Sequence, residues 1–137
     1  MIAENLIPPE VVLLGPEWPT RALLRAQFVE EGYEVIATDA WPIPRHYLRP
    51  GTKPGVVIVD LHGLPEPHNV LAELRALIDP DRVLVVTALG TLTGDEIRRL
   101  GFQAVSRPAT VGEIVAAAAA MLRIRSTDGP MSDPSDQ

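Results

Sequence analysis

Three continuous apolar runs constrain this chain more than any other feature: Val11-Val12-Leu13-Leu14, Val56-Val57-Ile58-Val59 and Val83-Leu84-Val85-Val86. Runs of β-branched residues and leucine without polar alternation describe strands covered on both faces. Two weaker strand signals accompany them, Tyr33 to Thr38 and Phe102 to Ser106. Helical segments separate the strands. Thr20 is placed as the cap of a helix from Arg21 to Glu31, which Gly32 stops. The prolines between Trp41 and Pro54 leave room for one short helix, Arg45 to Leu48. Leu61 to Pro67 reads as a loop, and His68 to Ile78 as a helix with Val70, Leu71, Leu74 and Leu77 on its apolar side. Thr93-Gly-Asp-Glu96 and Thr110-Val-Gly-Glu113 are two capping boxes. The first opens a short helix to Leu100 and the second a helix to about Ile124. Strands alternating with helices, joined by right-handed crossovers, predict an α/β domain with a doubly wound five-stranded parallel sheet in the order 2-1-3-4-5.

With 137 residues the chain is expected to form a single domain over residues 1–124, followed by a disordered acidic tail over 125–137. The net charge of −6 argues against a nucleic-acid partner. Cysteine is absent, which excludes disulfides and thiolate metal sites. No apolar run is long enough for a membrane span and no signal peptide is visible, so a cytoplasmic, bacterial-type protein is expected. Lys53 is the only lysine beside a set of arginines, a bias that fits a GC-rich genome as well as any need for guanidinium groups. His46, His62 and His68 lack metal-ligand spacing.

In an open parallel sheet, ligands and chemistry gather at the carboxyl ends of the strands. Two of those ends are equipped for phosphoryl chemistry, with Asp60 after Val59 and Thr87 after Val86. The first strand ends instead in Gly15-Pro16.

The spacing of these pieces resembles the receiver domain of two-component response regulators, a flavodoxin-like fold. The matching pieces are Val56 to Leu61 with Pro65, Val83 to Ala88, and Gly101 followed by Arg107-Pro108, with Glu113-Ile114 in the last helix. The resemblance covers roughly residues 10 to 124. It implies that Asp60 corresponds to the phosphoacceptor, that Thr87 bonds a phosphoryl oxygen, and that Arg107 stands where a lysine pairs with the same group. It also implies a cis peptide before Pro108, a backbone carbonyl from His62 for Mg²⁺, and a histidine kinase or a downstream effector as partner.

The departures from the family pattern carry equal weight. The acidic pair that holds Mg²⁺ falls on Gly15 and Pro16, leaving Glu17 and Asp60 as carboxylates for a weak Mg²⁺ site. The aromatic residue of the fifth strand is replaced by Ala104 or Val105, and the proline-rich stretch from Trp41 replaces much of the second helix. Arg107 keeps positive charge, and its planar fork suits a bidentate bond to Asp60 that a lysine cannot make. These departures imply an atypical receiver, not an enzyme, that acts through protein–protein interaction with impaired or absent phosphorylation. The alternative is a working phosphoacceptor in which Glu17 and Asp60 bind Mg²⁺. A remote alternative is a small ligand-binding or enzymatic domain, but no G-x-G-x-x-G, P-loop or nucleophile elbow is present.

The plainer readings are that Asp60 accepts backbone N–H bonds or an Arg107 salt bridge, that Thr87 bonds its own loop, and that Glu17 is solvated near a helix start. Trp18 and Trp41 are expected to fold over core edges, Trp18 beside Asp60. The run Ala116 to Ala120 is chiefly good helix former, and permits a homodimer face.

Overall fold

The computed structural model describes residues 9–48 and 54–127. Its sheet is parallel throughout, with strands β1 (Val11–Leu14), β2 (Val35–Thr38), β3 (Val56–Asp60), β4 (Val83–Val86) and β5 (Gln103–Val105) in the order β2-β1-β3-β4-β5. The order is the one expected from the βα alternation. Among the described residues, five α-helices surround the sheet: α1 (Trp18–Glu30), α2 (Pro42–Arg45), α3 (Pro67–Leu77), α4 (Gly94–Arg99) and α5 (Val111–Thr127).

The apolar runs are buried because successive side chains serve opposite faces. Val12, Leu14, Val57, Val59, Val83 and Val85 pack with residues of α3 and α4 on one face. Val11, Leu13, Val56, Ile58, Leu84 and Val86 pack with Leu24 and Phe28 of α1 and with Ile114, Val115 and Ala118 of α5 on the other. All twelve are nearly inaccessible to solvent, as a strand sandwiched between helix layers must be.

Helix ends differ from expectation in instructive ways. The first helix starts at Trp18, not Arg21, and Thr20 is not its cap. Glu17 is the cap residue, without a side-chain cap bond, and Pro19 lies in the first turn. Proline presets the helical φ there and loses no bond, because the first-turn N–H groups have no intrahelical partner. The Thr20 hydroxyl donates instead to Glu17 Oε1 at 3.0 Å. The short second helix occupies Pro42–Arg45 and not Arg45 to Leu48. A helix of one turn contains no interior N–H bond for Pro42 or Pro44 to break.

Both capping boxes form as predicted. The Thr93 and Thr110 hydroxyls accept from the backbone N–H of Glu96 and Glu113, and each glutamate accepts the threonine N–H in return. Residues 125–127 continue α5, although they belong to the stretch expected to be a tail. The rest of that stretch, 128–137, lies outside the described residues, as do 49–53 of the proline-rich segment.

Candidate functional site at the strand ends

Register places Gly15, Asp60 and Thr87 side by side at one edge of the sheet. Leu14 pairs with Thr38 and Val59, and Asp60 with Val86. Ladder bonds continue one residue beyond the strands, from Gly15 N–H to Thr38 O, Leu61 N–H to Val86 O and Thr87 N–H to Val105 O, each 3.0 Å. These bonds fix where each strand-end side chain starts.

The Asp60 side chain is 2% exposed and meets the Arg107 guanidinium as a two-pronged fork. Nη1 donates to Oδ1 at 2.7 Å and Nη2 to Oδ2 at 2.9 Å. The His62 N–H adds a third bond to Oδ1 at 3.0 Å, closing the turn after β3. Arg107 is held in turn by Thr87. Its Nη1 donates to the Thr87 carbonyl at 2.9 Å, and its backbone N–H donates to Thr87 Oγ1 at 3.0 Å. Asp60 raises the Arg107 pKa above its ordinary value, first through the side-chain hydrogen bonds. Burial opposes that rise, and the charges of Asp60 and Glu17 add to it. The peptide between Arg107 and Pro108 is cis.

Both carboxylate oxygens of Asp60, and the Thr87 hydroxyl, are thus engaged within the chain. Charge-assisted bidentate pairs of this length are among the stronger hydrogen bonds in proteins, and they set orientation as well as energy.

The neighbouring strand end carries a second guanidinium. Arg21 Nη1 donates to the carbonyl of Gly15 at 2.7 Å and to that of Pro16 at 3.2 Å. The sequence pattern marks Arg21 only as a helix residue, and nothing in its spacing points to this contact. Glu17 Oε1 accepts from Thr20 and lies 4.0 Å from His62 Nε2. A cavity of about 530 Å³ opens over this region between Glu17, His62, Leu89, Arg107 and Pro108, with Ile114 in its wall.

The residues present do not fit Mg²⁺. Octahedral coordination needs several free oxygens, usually including one or two carboxylates. Asp60 has given its oxygens to Arg107, Gly15 and Pro16 have no side-chain donor, and their carbonyls face a cation. Among the described residues, no group of three or more acidic, histidine or cysteine side chains could hold a metal ion. Glu17 lines the cavity, and its carboxylate accepts from Thr20.

Trp18, expected beside Asp60, is instead 68% exposed at the start of α1, because the helix begins earlier than the sequence suggests. Trp41 does fold over the core, and its indole N–H donates to Glu73 Oε1 at 2.8 Å. On β5, Ala104 lies opposite Val85 and packs toward one core, and Val105 lies opposite Val86 and packs toward the other. No aromatic ring stands at either position.

No family model matches the chain, and no curated protein matches it. Solved structures do. The signal receiver domain of a putative Luxo repressor protein from Vibrio parahaemolyticus superposes with a TM-score of 0.72 at 19% identity, covering 89% of this chain and 95% of that one. A CheY-like response regulator receiver domain protein from Methanospirillum hungatei JF-1 gives 0.71 at 15% identity, covering 87% and 97%. A structure described as adenylate cyclase from Rhodopirellula baltica gives 0.70 at 20% identity, covering 90% and 96%. Most of the similar structures are receiver domains. In sheet order, helix placement and extent, the chain has the fold of a CheY-like response-regulator receiver domain.

Proposed function

We propose that this chain is a cytoplasmic signalling module of the receiver type that works by protein–protein contact and does not depend on Mg²⁺-assisted phosphorylation. The observation that supports this most is the Arg107–Asp60 fork. Phosphoryl transfer to a carboxylate requires a free nucleophilic oxygen and positive charge, usually from metal ions, to neutralise the incoming anion. Here the cation that answers Asp60 is part of the protein, and it bonds the nucleophile itself. The Thr87 hydroxyl, which the resemblance assigns to a phosphoryl oxygen, holds the backbone of Arg107. The side chains that would otherwise report on phosphorylation therefore form a closed network within the domain. A histidine kinase or an effector domain would be recognised as a docking partner, through surface and not through chemistry.

Incubation with acetyl phosphate and millimolar Mg²⁺, followed by intact-mass measurement and hydroxylamine treatment, tests this reading. The expected result is no added phosphate. Stoichiometric, hydroxylamine-sensitive phosphate on Asp60 would overturn it.

A further inference from the structure

Helix α1 is apolar on the side that faces away from the sheet. Leu24 and Phe28 are buried against the strands. Yet Trp18, Leu23 and Val29 are 68%, 58% and 47% exposed, and Pro19 and Ala26 are exposed beside them. Apolar residues on both the inner and the outer side of a helix normally mean that both sides are covered.

The outer face also has an order. When the helix is written as heptads, Pro19 and Ala26 fall at a, and Ala22 and Val29 at d. The flanks are Trp18 and Arg25 at g, with Leu23 and Glu30 at e. The core-facing Leu24 and Phe28 then fall at f and c, on the far side. In a parallel pair of helices, each g residue meets the following e residue of the partner, and these contacts choose partner and orientation. Trp18 would meet Leu23 of the second helix, and Arg25 would meet Glu30. An antiparallel pair sets g against g, which brings the two Arg25 side chains together. Arg25 and Glu30 have no ion-pair or hydrogen-bonding side-chain partner among the described residues. Ala22 and Ala26, at d and a in the middle of the helix, are small enough for two backbones to approach closely.

We infer that a second copy of this chain covers this face, in a parallel two-fold dimer built on α1 paired with α1. The self-matching of Arg25 with Glu30 and of Trp18 with Leu23 favours an identical partner over an unrelated protein. The inference goes beyond the proposed function and does not depend on the state of Asp60.

Sedimentation of the full chain over a wide concentration range tests it, with charge reversals as the specific probe. Both charged residues are exposed, so the reversed variants are expected to keep the wild-type circular dichroism. The wild type is expected to show a reversible monomer–dimer equilibrium. Arg25→Glu and Glu30→Arg each weaken it on the order of tenfold, and the double reversal restores it. Because the chain has no cysteine, Ala22→Cys gives a clean register test. It is expected to form a disulfide with its own copy faster than the exposed control Ala76→Cys on α3. A chain that remains monomeric at every concentration overturns the proposal. So does a dimer indifferent to both reversals, or a dimer in which Ala22→Cys links no faster than the control.

Discussion

Arg107 and Asp60 form one unit, and the cost of breaking it falls on the buried member. Arg107→Ala leaves a carboxylate that is 2% exposed without its cation. Removing one partner of a buried ion pair costs about 3–5 kcal/mol. The Arg107 side chain is 24% exposed, which allows some water to replace it and places this case at the lower end. Urea unfolding measures the loss, and Arg107→Lys should show a smaller one because charge is kept while the fork is lost. The sign of the pH effect follows from the raised Arg107 pKa. Its contribution is complete below the ordinary arginine value and is lost only as pH rises through the higher folded value. Titration of Arg107 therefore adds no slope to stability between neutral and mildly alkaline pH, which urea midpoints across that range check.

Gly15 supplies a gain-of-function counterpart. A Cβ added there meets Asp60 Cβ at 3.6 Å and Arg21 Cβ at 3.8 Å, ordinary contacts that need no rearrangement. Gly15→Asp combined with Arg107→Lys is expected to bind Mg²⁺ detectably by calorimetry, where the wild type gives no heat of binding. At this scale the strand ends mark Asp60 and Thr87, and the resemblance to receiver domains marks Arg107. Arg21 is not legible, since its contact is with carbonyl oxygens whose direction depends on the folded loop.

At the scale of elements, local hydrogen bonds decided the outcome. The boxes at Thr93 and Thr110 satisfy N–H groups that no turn of helix can satisfy. Thr93→Ala and Thr110→Ala should each cost about 1 kcal/mol, read from thermal or urea unfolding. Gly55 precedes β3 with no room for a side chain. A Cβ there would strike Leu122 and come within 2.7 Å of the Glu10 carbonyl oxygen, a backbone atom that cannot turn aside. Gly55→Ala is expected to cost about 1–3 kcal/mol through overpacking, measured in the same way. The sequence identified both boxes because they are contiguous and reciprocal. It misplaced the start of α1 because threonine is a common cap, whereas Pro19 in the first turn carried the stronger signal. That error also displaced Trp18, whose exposed position then becomes part of the apolar outer face of α1.

For the whole molecule, five strand signals and the chirality of crossovers predict a parallel sheet covered on both faces, and the commonest order for such a sheet is the one observed. Register could not be read in the same way, because a run of uniformly apolar residues does not say which residue pairs with which. The structure settles it by aligning Gly15, Asp60 and Thr87 on one edge, and that alignment lets one arginine close the pocket. A strand end closed by the Arg107–Asp60 fork is expected to stay closed to phosphate analogues. Two-dimensional amide NMR with beryllofluoride and millimolar Mg²⁺, compared with the free protein, is the measurement that decides this. Superimposable spectra are expected, including the signals of His62, Thr87, Leu89 and Arg107. Saturable shifts at those residues, spreading to α4 and β5, would contradict it.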